Sequence, residues 1–187
     1  MKNETTKKQG GRYAWKLATK EVAYIAVFVA LLIAIQLVLA VIPGVETVTL
    51  LFVCFAFCFG VRRSVISAVV FSLLRQLVFG FSPTVLILYL IYYPLLCLAF
   101  ALLGKSKKRL LFMLPFAVLI ACLLTASFTL LDDIITPLYY GFSQKATRAY
   151  FYYSLPVLCT QTVCAGITIA VGFIPICKAF QIIKNRL

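Results

Sequence analysis

Apolar residues run along this chain in long blocks rather than in alternation, and short polar or Pro/Gly breaks cut the blocks apart. A bilayer core of about 30 Å is crossed by about 20 apolar residues of helix, and six blocks approach that length. The pattern predicts helical spans over Val22 to Ile42, ended by Pro43-Gly44, and over Thr47 to Gly60, ended by Val61-Arg62-Arg63. Further spans are expected over Ser64 to Gly80, Thr84 to Leu103, Leu110 to about Thr136 (before Pro137) and Leu155 to Cys177. The second and third are short for a full crossing, which suits a tilted, thinned or partly re-entrant segment. The fold class expected is therefore an all-α integral membrane protein. It divides into a basic N-terminal segment (1–21), a six-helix membrane domain (22–177) and a basic tail (178–187).

Composition supports lipid as the solvent. The chain is 64% apolar and 12% charged, with a mean hydropathy of +1.06, whereas soluble domains carry about 25% charge. The net charge of +13 adds orientation. Lys2, Lys7, Lys8, Arg12, Lys16 and Lys20 precede the first span, and Arg62 and Arg63 follow the second. Lys105, Lys107, Lys108 and Arg109 follow the fourth, and Lys178, Lys184 and Arg186 the sixth. Only Lys145 and Arg148 fall on the other side, with Arg75 inside a span. By the positive-inside rule both termini are expected in the cytoplasm. Basic residues spread over four separate segments act as topology determinants and anionic-lipid contacts, not as one nucleic-acid-binding stripe. The first apolar run is too long for a signal peptide and lacks a small-x-small cleavage site, so it is read as an uncleaved span.

Catalytic chemistry has little to work with. The chain has seven cysteines and no histidine; the cysteines all fall in predicted spans, at spacings such as Cys54-x-x-x-Cys58 that lack the clustering of zinc sites. There they act as small apolar residues. No nucleophile with its base, phosphate loop or dinucleotide fingerprint is present, so no catalytic residue, metal or cofactor is expected. The acidic pair Asp132-Asp133 could take a divalent cation, but no second acidic motif supports it. ATP hydrolysis, if transport uses it, falls to another chain.

Polar residues inside the spans share one depth. With an internal N-terminus, Arg75 and Gln76 lie roughly 7 Å below the outer end of the third span at about 1.5 Å per residue. Gln36 approaches the outer end of the first span, Asp132 and Asp133 that of the fifth, and Gln161 follows the outer start of the sixth. Thr49 opens the second span beside Glu46, Tyr89 enters with the fourth, and Tyr153 precedes the sixth. A charge at mid-span costs about 2.5–3.5 kcal/mol on insertion scales and usually faces a cavity or a partner. The layer is read as an outward-open binding pocket made by these ten residues. Neighbours on a helix point about 100° apart, so one of Arg75 and Gln76, and one of Asp132 and Asp133, suffices to face it. Arg75 has three open roles: pairing with Asp132 or Asp133, holding an anionic ligand group, or snorkelling outward.

On the inner half of the first span, Ala26, Ala30 and Ala34 recur every fourth residue and form a ridge where another helix can approach closely. With this pattern, a basic six-span chain of under 200 residues resembles the S component of energy-coupling-factor transporters. Residues 42–50, Ile-Pro-Gly-Val-Glu-Thr-Val-Thr-Leu, are similar to a first-loop motif of some members at Pro43, Thr49 and Leu50, and depart from it at Gly44 and Thr47. The resemblance implies a bacterial cytoplasmic-membrane subunit that captures a vitamin or related micronutrient. It implies docking, through Ala26 and Ala30, on a transmembrane coupling subunit bound to two cytoplasmic ATPases. Cobalamin or a corrinoid precursor, a pterin, a deazapurine and pantothenate are the ligand classes left open, with the loop leaning to a cobalamin type. A stand-alone secondary transporter or channel is the alternative; the chain shows no internal repeat of the kind that alternating access commonly uses.

Overall fold

The computed structural model describes residues 19–39, 47–106 and 109–185. Among them lie six helices: α1 (Thr19–Leu39), α2 (Thr47–Phe59), α3 (Val61–Phe79), α4 (Pro83–Leu103), α5 (Leu110–Tyr140) and α6 (Gln144–Asn185). The expected helices are all present; α6 runs eight residues past Cys177 to Asn185, into the stretch expected as a basic tail, and two further differences lie where α5 meets α6. α5 continues through Pro137 to Tyr140, and α6 begins about three turns before Leu155.

Both differences have a local cause. Pro137 lies in the last turn of α5, where few backbone bonds remain to be lost. Its own carbonyl accepts the N–H groups of Gly141 and Phe142, which closes the helix. Gly141 has φ +64°, the left-handed conformation that ends helices and that glycine adopts without a Cβ clash. After this turn the Ser143 hydroxyl accepts the Ala146 N–H at 3.3 Å, a cap that starts α6 at once. α5 and α6 thus form a tight helical hairpin.

Side-chain contacts set the register of the rest. Cys54 Sγ reaches the Phe173 carbonyl and Cys58 Sγ that of Cys177, at 3.7 and 3.6 Å and with the same sequence offset, so α2 and α6 run parallel. Arg63 Nε donates to Glu21 at 3.0 Å, which aligns the starts of α1 and α3. Tyr92 meets Thr125 at 3.4 Å and the Tyr89 ring lies tilted beside Phe128, an antiparallel α4–α5 pair. The start of α1 and the end of α6 therefore share one end of the bundle. Arg62, Arg63, Lys105, Arg109, Lys178 and Lys184 gather at that end; Lys145 and Arg148 lie at the other.

α2 is the centre, packed by α1, α3, α4 and α6. Phe52 is fully buried among Phe28, Phe71 and Tyr93. Gly104, just after α4, sits so close to α2 that a Cβ would collide with the Phe57 carbonyl. Around this core the other helices turn apolar side chains outward. α1, α4, α5 and α6 are long and apolar enough to cross a membrane, yet only 22% of the apolar window of α1, α5 and α6 is buried within the protein. An outward surface of Val27, Val38, Leu119 and Val171 is what a lipid-facing helix presents. α2, with 13 residues, is shorter than a full crossing, and α3 carries Arg62, Arg63 and Arg75.

Candidate functional site

The α5–α6 hairpin holds the polar groups that its two helices cannot bury against α2. Projected on α6, Tyr150, Tyr153, Ser154, Val157 and Gln161 fall at helical spacing on one face; Phe128, Thr129 and Asp132 answer them from α5. Together these eight residues line a cavity of about 240 Å³.

Most of its polar bonds run between the two helices, and one lies within α5. Tyr150 donates to one Asp132 oxygen at 3.0 Å and Thr136 to the other at 2.6 Å. Ser154 donates to Asp133 at 2.6 Å, and Thr129 to Gln161 Oε1 at 3.1 Å. Asp132 is half-buried and faces the cavity, whereas Asp133 is 5% exposed and engages the cavity-lining Ser154 from behind. The adjacent carboxylates thus both address α6, one at the cavity surface and one beneath it. Among the described residues no group of three His, Cys, Asp or Glu is placed to hold a metal ion.

Arg75 lies in a neighbouring arrangement. Its guanidinium sits 4.6 Å from the Tyr89 ring centre and 5.0 Å from that of Phe79, two cation–π contacts that accommodate charge without a carboxylate. The Arg75–aspartate ion pair entertained from the sequence is not formed: among the described residues the ion pair present is Arg63–Glu21. Arg75 is separated from the cavity by rings. Tyr89 lies 6.0 Å from Phe128, centre to centre, and Phe128 is a cavity wall. Arg75, Tyr89, Phe128 and the Thr129–Gln161 bond therefore occupy one level of the bundle, as the shared depth of polar residues implied.

The other predicted positions separate. Gln76 is buried and accepts the Ser82 N–H at 3.0 Å, tying down the α3–α4 connection, while its Nε2 has no partner. Gln36 lies near the outer end of α1 with a buried, unpartnered Oε1. Thr49 is fully buried in α2, away from the cavity lining. Tyr153 is 81% exposed at the cavity rim. Glu46, with the loop around Pro43 and Gly44, lies outside the described residues. Among the described residues, the buried side-chain polar atoms left without a partner are Gln36 Oε1, Arg75 Nε, Gln76 Nε2, Asp133 Oδ1 and Thr162 Oγ1, all near or beyond the Arg75–Gln161 level. Native proteins leave few such atoms, and these lie towards one end of the bundle.

No family model, curated protein or solved structure matches the chain. The functional reading therefore stands on the site itself.

Cavity residues outside the expected set are Phe128, Thr129, Tyr150, Ser154 and Val157. A signal for them existed. Once α6 is allowed to begin near Gln144, positions 150, 153, 154, 157 and 161 form an i, i+3, i+4, i+7, i+11 stripe, and Thr129 lies one turn before Asp133.

Proposed function

We propose that this chain is the membrane-embedded substrate-capture subunit of an energy-coupling-factor type importer, resident in a bacterial cytoplasmic membrane. It takes a vitamin-like small molecule into the α5–α6 cavity and delivers it by docking on a transmembrane coupling subunit with two cytoplasmic ATPases. The observation that carries this reading is the cavity: hydroxyl, carboxylate and amide groups converge between two long helices whose remaining faces are apolar. Convergent polar groups in a concave, partly aromatic site are the usual form of a small-molecule site. The same groups also tie α5 to α6, while the cavity leaves room for a ligand between them.

Docking is supported by α1. Ala26, Ala30 and Ala34 are all exposed, while Ile25, Phe28, Val29 and Leu32 face the core. The small-residue ridge is thus left open for a helix of another chain. The lean towards a cobalamin-type ligand rested on the loop outside the described residues. A cavity of about 240 Å³ lies below the usual 300–1,000 Å³ of ligand sites, which favours a ligand of one or two rings over a corrinoid macrocycle.

Mass spectrometry of the denatured extract of purified protein tests the capture role. A vitamin-like molecule is expected at near-stoichiometric amount, and its retention is expected to fall in Asp132→Asn. Replacing Ala26 and Ala30 with leucine should abolish uptake and spare binding. Ion-coupled flux through liposomes containing this chain alone, without ATP or partners, would sink the proposal in favour of a stand-alone transporter or channel.

A further inference from the structure

The capture reading leaves open which chemical class enters the cavity, and the charges around it narrow the choice. Asp132 and Asp133 are bonded by Tyr150, Thr136 and Ser154, all neutral hydroxyls. No lysine or arginine among the described residues pairs with either. The nearest basic groups along α6, Lys145 and Arg148, are exposed, and Arg148 lines a separate groove with Phe142, Gln144 and Phe151. Asp133 is 95% buried by side-chain environment, since its exposure is 5%, and its second oxygen has no partner, although its first holds a cavity-lining serine. Each hydroxyl supplies a single proton, while an ionised carboxylate pair accepts about eight hydrogen bonds. The acceptors are under-supplied, and no basic side chain among the described residues is paired with them.

Resting on the capture reading, we infer that the α5–α6 cavity receives the cationic end of an organic ligand, an ammonium or protonated heteroaromatic nitrogen, placed on Asp132. An ammonium donor would add a full ion pair at that carboxylate, which the hydroxyl donors already present do not supply. The rings of Phe128, Tyr150 and Tyr153 around it offer the faces on which an organic cation rests. A divalent metal is disfavoured because the described residues offer no cluster of three metal-binding side chains. An anionic ligand group would add like charge to two carboxylates in a site of low dielectric.

The test uses the full-length protein in detergent and three probes of nearly equal shape: benzylammonium, benzyl alcohol and benzoate. Ligand-induced rise of the thermal midpoint is the readout. Benzylammonium is expected to raise the midpoint at least tenfold more potently than the other two, and Asp132→Asn to abolish the difference. If that variant does not fold, Tyr153→Lys at the exposed rim substitutes for it, because a tethered ammonium should displace the probe. Equal or greater potency of benzyl alcohol or benzoate, an unchanged response in the variant, or no response to benzylammonium would each overturn the assignment. The extract of the same preparation reads the capture role separately: a stoichiometric neutral or anionic metabolite keeps capture and rejects the cationic class.

Discussion

α2 and α6 pack side by side in the same direction, yet they solve opposite problems. α2 has 13 residues, of which ten are buried; α6 has 42, of which Ala165, Ile169, Phe173 and Cys177 are buried. α2 is apolar all round and enclosed by four other helices. α6 spends its inner half on α2 and its outer half on α5, where its one polar face meets Asp132 and Asp133. Apolar packing and polar groups are therefore separated along the molecule: the core around α2 is apolar, and the α5–α6 hairpin carries the polar cluster around Asp132. A substitution should reveal which region it belongs to by which property it changes.

The largest effect is expected at Phe52→Ala. This removes a fully buried ring that meets Phe28, Phe71 and Tyr93; buried Phe→Ala changes cost about 3–5 kcal/mol. Thermal unfolding in detergent should show the steepest fall for this variant, and a fall no larger than that of an outer-hairpin variant would erase the distinction. Next comes Thr129→Val, which breaks the cross-helix bond to Gln161 and leaves the amide oxygen unpaired, at about 1–3 kcal/mol. Here ligand affinity should fall along with stability. Arg75→Leu is expected to change stability by less than about 1 kcal/mol, because the lost cation–π contacts are offset by removal of an unpartnered buried nitrogen. Its ligand affinity should drop less than that of Asp132→Asn; a larger drop would place Arg75 in contact with the ligand. The smallest effect belongs to Val171→Ala on the outward face of α6, 74% exposed, where a change within about 0.5 kcal/mol is expected.

The helices were legible in the sequence because apolar block length is a strong signal, and the starts of α2 and α5 fall at Thr47 and Leu110 as expected. The depth of the polar layer was legible too, since spacing along each helix carries over to height in the bundle. Azimuth was not. Arg75 and Asp132 lie at similar heights, but the pairing of α3 with α4 and of α5 with α6 puts Tyr89 and Phe128 between them. No one-dimensional count distinguishes a single pocket from two neighbouring polar clusters. The early start of α6 was hidden by Pro156, which marks a boundary in sequence but is accommodated inside the helix here. Ser154 went unnoticed with it, because its role depends on being one face of a helix rather than part of a loop.

The unequal lengths of α2 and α6 bear on the membrane as much as on the protein. At about 1.5 Å per residue, α2 extends roughly 20 Å and α6 roughly 63 Å, against a hydrocarbon slab of about 30 Å. Lipid meets α6 rather than the enclosed α2, so a helix about twice as long as the slab is thick must tilt or extend beyond the hydrocarbon. The bilayer's own resistance to bending then becomes part of the force that sets how the protein tilts, and a change in acyl-chain length acts on its orientation without touching a single side chain.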